Sequence, residues 1–177
     1  MELELPLIRA AAAGDADAFT RIVAAYHRDM TRVAFTIVGR ADGADDAVQA
    51  AWAIAWRQLG SHREDASLRA WLLKITANEA RQVVRRSGRR SLREIPADEG
   101  ITGPGGSADQ AAIPARVDLA RALARLSVDD RTLIALRFGA DLGYSEIGAL
   151  VGDSEQAVKQ ATYRALGALR RRLEADV

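Results

Sequence analysis

The run Tyr144-Ser-Glu-Ile-Gly-Ala-Leu-Val-Gly-Asp-Ser-Glu-Gln-Ala-Val-Lys159 restricts the fold more than any other stretch of the chain. Ile147, Leu150 and Val151 share one helical face, and Val158, Thr162, Leu166 and Leu169 share another, with Gly152-Asp153-Ser154 between them. A glycine there supplies the positive φ that ends one helix, and Asp153 or Ser154 supplies the side-chain oxygen that starts the next. Two short helices joined so tightly form a helix-turn-helix pattern, which points to DNA. An ordinary helical hairpin fits the same spacing.

The rest of the chain reads as helix too. Phe19, Ile22, Val23, Tyr26, Met30, Val33, Ala34 and Ile37 keep three-and-four spacing between Gly14-Asp15 and Gly39. A shorter helix over Leu3 to Ala13 precedes them. Asp42 opens a helix with Ala44, Ala47, Val48, Ala51, Trp52, Ala55, Trp56 and Leu59 on its apolar side and Asp45, Asp46 and Gln49 on its polar side. The two tryptophans read as core. Acids in a first turn also suit the helix dipole, so they have a purely structural explanation as well.

After a polar loop from Gly60 to Ala66, Ser67 caps a long helix with Leu68, Trp71, Leu72, Ile75, Val83 and Val84 inside. Its outer side gathers Lys74, Arg81, Arg85, Arg86, Arg89 and Arg90, with Arg93 beyond and only Glu79 to offset them. So many like charges favour an anionic partner such as phosphate, although a solvated basic face is the simpler alternative.

Pro and Gly concentrate over 95–114, which reads as a flexible linker between a domain at 1–94 and another at 115–177. The second starts with Val117, Leu119, Ala120, Leu123 and Leu126. A further helix from Asp129-Asp130 carries Leu133, Ile134, Leu136 and Phe138. The expected fold is therefore all-α: two small helical domains, the second a helix-turn-helix, each able to bury a core.

Composition narrows the function. There is no cysteine, hence no disulfide or thiolate metal site, as a reducing compartment would allow. No long apolar run predicts membrane insertion, and the expected location is the cytoplasm. His27 and His62 are the only histidines and lack ligand spacing. With no phosphate loop or nucleophile motif either, neither enzyme chemistry nor a cofactor is expected.

Several motifs, in order, resemble the bacterial RNA polymerase sigma factors of the extracytoplasmic-function (ECF) branch. They are Gly14-Asp-Ala-Asp-Ala-Phe19, Asp45-Asp-Ala-Val-Gln49 with Trp52 and Trp56, Trp71-Leu-Leu-Lys-Ile-Thr-Ala-Asn78 with Arg85-Arg86, Leu126 to Arg131, Leu136-Arg-Phe138, Tyr144-Ser-Glu-Ile147, Val158-Lys159 and Arg164-Ala-Leu166. The resemblance implies a factor that binds core RNA polymerase through its β′ and β subunits, reads −10 and −35 promoter elements and promotes DNA melting. It implies polymerase contacts at Asp45, Asp46 and Gln49. It implies −10 DNA contacts at Ser61, His62, Arg63, Lys74, Asn78, Arg81, Arg85, Arg86, Arg89 and Arg90, with the 61–66 loop receiving an unstacked base. It implies −35 DNA contacts at Ser154, Gln156, Lys159, Gln160, Tyr163 and Arg164.

An anti-sigma protein is the further partner that the resemblance suggests. Ala50, Gln82, Val128, Ala157, Gln160 and Ala161 depart from the residues usual in the family, so the resemblance implies the fold but not the promoter sequence. A stand-alone helix-turn-helix regulator is the alternative. It leaves the Asp45-Asp46-Gln49 helix and the basic run without a role.

Overall fold

The computed structural model describes residues 4–62, 67–91 and 113–175, with side chains described for 5–62, 67–87 and 118–175. These residues form eight α-helices: α1 (Glu4–Ala12), α2 (Ala16–Val38), α3 (Ala41–Gln58), α4 (Leu68–Ser91), α5 (Ile113–Ala124), α6 (Val128–Ile134), α7 (Tyr144–Val151) and α8 (Glu155–Ala175). A 3₁₀ turn (Leu59–Ser61) follows α3, and a π-helical turn (Ala135–Gly139) extends α6. Residues 95–112 of the expected linker lie outside the described residues. Its last two, Ile113 and Pro114, already belong to α5, where a proline in the first turn removes no helical hydrogen bond.

The local signals act where the sequence puts them. Asp15 caps α2, its carboxylate accepting from the backbone N–H groups of Asp17 and Ala18 at 2.9 and 3.0 Å. The same helix ends at Gly39, with φ 85°. Ser67 Oγ accepts from the Ala70 N–H, and Ser154 Oγ from that of Ala157, both at 3.2 Å. The third helix starts one residue before Asp42, at Ala41, without a side-chain cap. Asp42 instead pairs with Arg40 at 3.1 Å.

Helices α2, α3 and α4 pack on one another, with α1 laid against α2. Ile22, Met30, Val33, Ala34 and Ile37 of α2 meet Leu72, Leu73, Thr76 and Ala80 of α4 in a dry core. Alanines 44, 47, 51 and 55 line the buried face of α3, where side chains this small let helix backbones approach closely. Thr76 is tolerated inside because its hydroxyl donates to the Leu72 carbonyl at 2.8 Å.

The C-terminal half has only a small core of its own, from Leu126, Ile134 and Ala165 with Leu123, Leu166, Ala168 and Leu169 around them. Ala135, Leu136, Ala140, Leu142, Ile147 and Val158 join the N-terminal core instead. The two halves therefore share one larger apolar interior, beside the small cluster that the C-terminal half keeps to itself. The π turn contributes to this. Leu136 and Phe138 stand two residues apart on it and so face opposite sides: Leu136 is buried, while Phe138, expected on the apolar side, is turned out and 56% exposed.

Candidate nucleic-acid interface

The buried arc of α4 fixes what the rest of the helix can do. With Leu72, Leu73, Thr76 and Ala80 inward, Lys74, Asn78, Arg81 and Arg85 fall at i, i+4, i+7 and i+11 on the opposite side. Lys74, Asn78, Arg85 and Arg86 are exposed. Arg86 donates to Gln82 Oε1 at 3.2 Å. The helix backbone extends through Arg89 and Arg90, whose side chains are outside the described residues, as is all of Arg63. Arg81 differs from its neighbours in that its guanidinium holds Asp129 of α6 at 2.6 Å.

Ser61 and His62 lie at the N-terminal approach to this stripe. Ser61 Oγ donates to the Gln58 carbonyl at 2.7 Å. The His62 ring packs on Trp71 with centroids 5.0 Å apart, and its buried Nε2 has no protein hydrogen-bond partner. Trp71 is half-buried against the core, as the sequence suggested.

On α3 the side chains of Asp45, Asp46 and Gln49 are exposed. Trp56 joins them, which corrects the expectation that it is core: it is 42% exposed and follows Asp45 and Gln49 along the same face. The alanines and Val48 already fill the arc that packs against α2 and α4. The indoles of Trp52 and Trp56 therefore stand at its edge, meeting Phe19 edge-on at 5.6 and 4.8 Å. Trp52 Nε1 also donates to Nδ1 of His27, which is otherwise exposed.

In the C-terminal half, α7 ends at Gly152 with φ 83°. The turn is tight enough that a Cβ on Gly148 would stand 2.6 Å from the Asp153 carbonyl oxygen. Glu146 returns to the Gly143 N–H at 2.7 Å, tying down the start of α7. Helix α8 buries Val158, Thr162 and Ala165, leaving Gln156, Lys159, Gln160, Tyr163 and Arg164 together on its outer face, with Ser154 at its start. Tyr163 is 58% exposed, 6.5 Å from the Tyr144 ring. Arg137 lies under Tyr144 at 5.1 Å, a cation–π contact that steadies the first helix of the motif.

Arg131, which sequence reasoning did not single out, is 7% exposed. Its Nε has no protein partner, and burial lowers its pKa from the ordinary arginine value. A hydrophilic surface position and a buried one carry the same residue letter, so no signal in the sequence distinguished it.

Comparison with known proteins assigns both halves. The Sigma-70 region 2 family matches residues 22–90, and Sigma-70, region 4 matches residues 122–171. The ECF RNA polymerase sigma factor SigM of Mycobacterium tuberculosis is 30% identical over 168 residues, covering 94% of this chain and 83% of SigM.

The chain belongs to the ECF sigma factors.

A probable RNA polymerase sigma factor, RfaY of Xanthomonas campestris, is 31% identical over 92% of this chain, and the match spans 42% of that longer protein. The structure of the sigma factor CnrH in complex with the cytosolic domain of CnrY superposes with a TM-score of 0.72 at 28% identity, covering 97% of each chain. The sigma factor RpoE of Bartonella quintana, solved in complex with the anti-sigma factor NepR, superposes equally well at 26% identity, covering 90% of this chain and 98% of RpoE. Sigma factors bind core RNA polymerase and promoter DNA to initiate transcription. The region 2 match covers the half that a stand-alone regulator leaves unexplained. Among the described residues no helix is long and apolar enough to cross a membrane.

Proposed function

We propose that this ECF sigma factor divides its work among three exposed helix faces. The face of α3 bearing Asp45, Asp46 and Gln49 docks on the β′ coiled coil of core polymerase. The basic stripe of α4 holds the −10 element, Lys74, Arg81, Arg85 and Arg86 neutralising phosphates while Asn78 touches a base or sugar. Arg89 and Arg90 continue that stripe, and the loop from Ser61 through His62 and Arg63 receives an unstacked base. The outer face of α8, from Ser154 and Gln156 to Arg164, enters the major groove at the −35 element.

One observation carries this division: an acidic face on α3 and a basic face on α4 stand on helices packed tightly against each other. One rigid pair therefore presents a protein-docking surface and a phosphate-binding surface at fixed separation. Gln156 and Gln160 suit adenine, and Lys159 suits guanine or a phosphate. Unstacking a base costs a few kcal/mol, which stacking and pocket contacts offset.

The work involves no covalent chemistry and no cofactor, so the protein is not an enzyme. It acts in the cytoplasm, as residues 1–94 on polymerase and the −10 element and residues 115–177 on the −35 element, with 95–114 between them. Its relative RpoE was solved bound to an anti-sigma factor, and a similar protein is proposed to restrain this chain.

The docking assignment is tested by Asp46→Ala with Gln49→Ala. Charge at such interfaces governs encounter and specificity, and truncation of paired polar groups costs about 2 kcal/mol or more, roughly thirtyfold in affinity. A pull-down with core polymerase should show that loss. Unchanged affinity would refute the α3 assignment.

A further inference from the structure

We infer that Gln82 of α4 reads an adenine of the −10 element, with Glu79 and Arg86 holding its amide in the orientation that can do so. These side chains form a hydrogen-bonded relay on the rim of the basic stripe. Gln82 Nε2 donates to Glu79 Oε1 at 2.7 Å, and Arg86 Nη2 donates to Gln82 Oε1 at 3.2 Å. Gln82 and Glu79 are half-buried, whereas Asn78 and Arg86 are exposed. Asn78, Gln82 and Arg86 follow one another at i, i+4 and i+8 along one edge of the helix. The amide therefore lies between a side chain proposed to touch a base or sugar and one proposed to hold a phosphate. Gln82 adds base recognition to the −10 role proposed for α4, and its assignment rests on that role.

A primary amide offers two N–H donors and two oxygen lone pairs. On an unrestrained surface glutamine the amide turns over at little cost, and donor and acceptor exchange places. Gln82 cannot do this. Reversed, its oxygen would face the Glu79 carboxylate and its N–H groups would face the Arg86 guanidinium. With one N–H and one lone pair engaged by these neighbours, one of each is left in fixed positions. That pair complements adenine, whose N7 accepts and whose N6 amino group donates on the same edge. Ordering the amide in advance removes a cost that binding would otherwise carry. Glu79 is the single acid between Lys74 and Arg93 and repels an approaching phosphate. Its bond to Gln82 gives that acid a use. The amide, being neutral, also orients Arg86 without cancelling the charge that a phosphate contact requires.

Holoenzyme reconstituted from the full chain and core polymerase can be offered a promoter library randomised across the −35 and −10 elements, and the DNA in open complexes sequenced. The parent should favour adenine about tenfold at one −10 position, the scale of a bidentate base contact. Gln82→Ala should erase that preference there alone, leaving the other positions and the salt dependence of binding as they were. Glu79→Ala should split the two readouts. Promoter affinity rises because a charge that repels phosphate is gone, while the same adenine preference falls about threefold as the amide regains its freedom. An adenine preference untouched by Gln82→Ala would overturn the base contact. So would an equal loss at every position, which would leave Gln82 as a support for Arg86 only. A preference that survives Glu79→Ala in full would overturn the aiming. Lys74→Ala with Arg85→Ala separates this contact from the role on which it rests. If that pair lowers open-complex formation while Gln82→Ala changes nothing, the stripe stands and the base contact falls. If neither variant has any effect, the −10 reading of α4 falls with it.

Discussion

The two halves of this sigma factor are built on different terms. Residues of α2, α3 and α4 enclose a core among themselves, with Met30, Val33, Ala34, Ile37, Ala47 and Ala51 wholly excluded from water. The helices after residue 113 enclose little beyond Leu126, Ile134 and Ala165, and place their larger apolar side chains against the first half. One half is a scaffold on which two binding faces are proposed to lie. The other is a DNA-reading motif whose stability depends on what it rests against. Small units bury too little surface to be robust alone.

Damage should therefore spread differently from each half. Leu72→Ala, in the first core, should cost about 2–5 kcal/mol, and urea unfolding followed by circular dichroism should show both halves losing structure together. If the C-terminal half kept its helicity after that loss, the shared interior would not be the source of its stability. Gly148→Ala tests the second half alone. Its Cβ meets a backbone oxygen, which can yield only by moving the turn, so a loss of about 1–3 kcal/mol is expected. Hydrogen exchange should place that loss in α7 and α8, leaving α2 to α4 protected. Asp15→Ala removes the α2 cap and should lower stability by about 1 kcal/mol, read from the denaturation midpoint. The mildest change is Lys159→Ala. Fold stability should be unaltered, while the slope of log affinity for −35 duplex against log salt falls by about one. An unchanged slope would mean that Lys159 touches no phosphate.

Much of the fold was legible because its determinants are local. Asp15, Gly39, Ser67, Gly152 and Ser154 each act within four residues of where they stand, and the structure uses all of them as the sequence suggests. The exposed faces of α3, α4 and α8 followed from helical phase. What could not be read depends on partners far along the chain. Asp29 and Arg69 are 40 residues apart and Arg81 and Asp129 are 48 apart, and nothing in spacing announces such pairs. Trp56 was misplaced because its letter favours burial, whereas the small residues of α3 had already claimed the packing surface. The letter of Phe138 favours burial in the same way, yet two residues from the buried Leu136 it faces the opposite side of the helix and is exposed.

Helix α4 is proposed to open the promoter, separably from the α3 face proposed to hold polymerase. Open-complex formation on promoter DNA, followed by a fluorescent base in the −10 element with core polymerase present, tests it directly. The Arg85→Ala, Arg86→Ala variant should bind core polymerase as the parent does. It should form open complexes about tenfold less well, as the loss of two phosphate contacts implies. Open-complex formation equal to that of the parent would contradict the account.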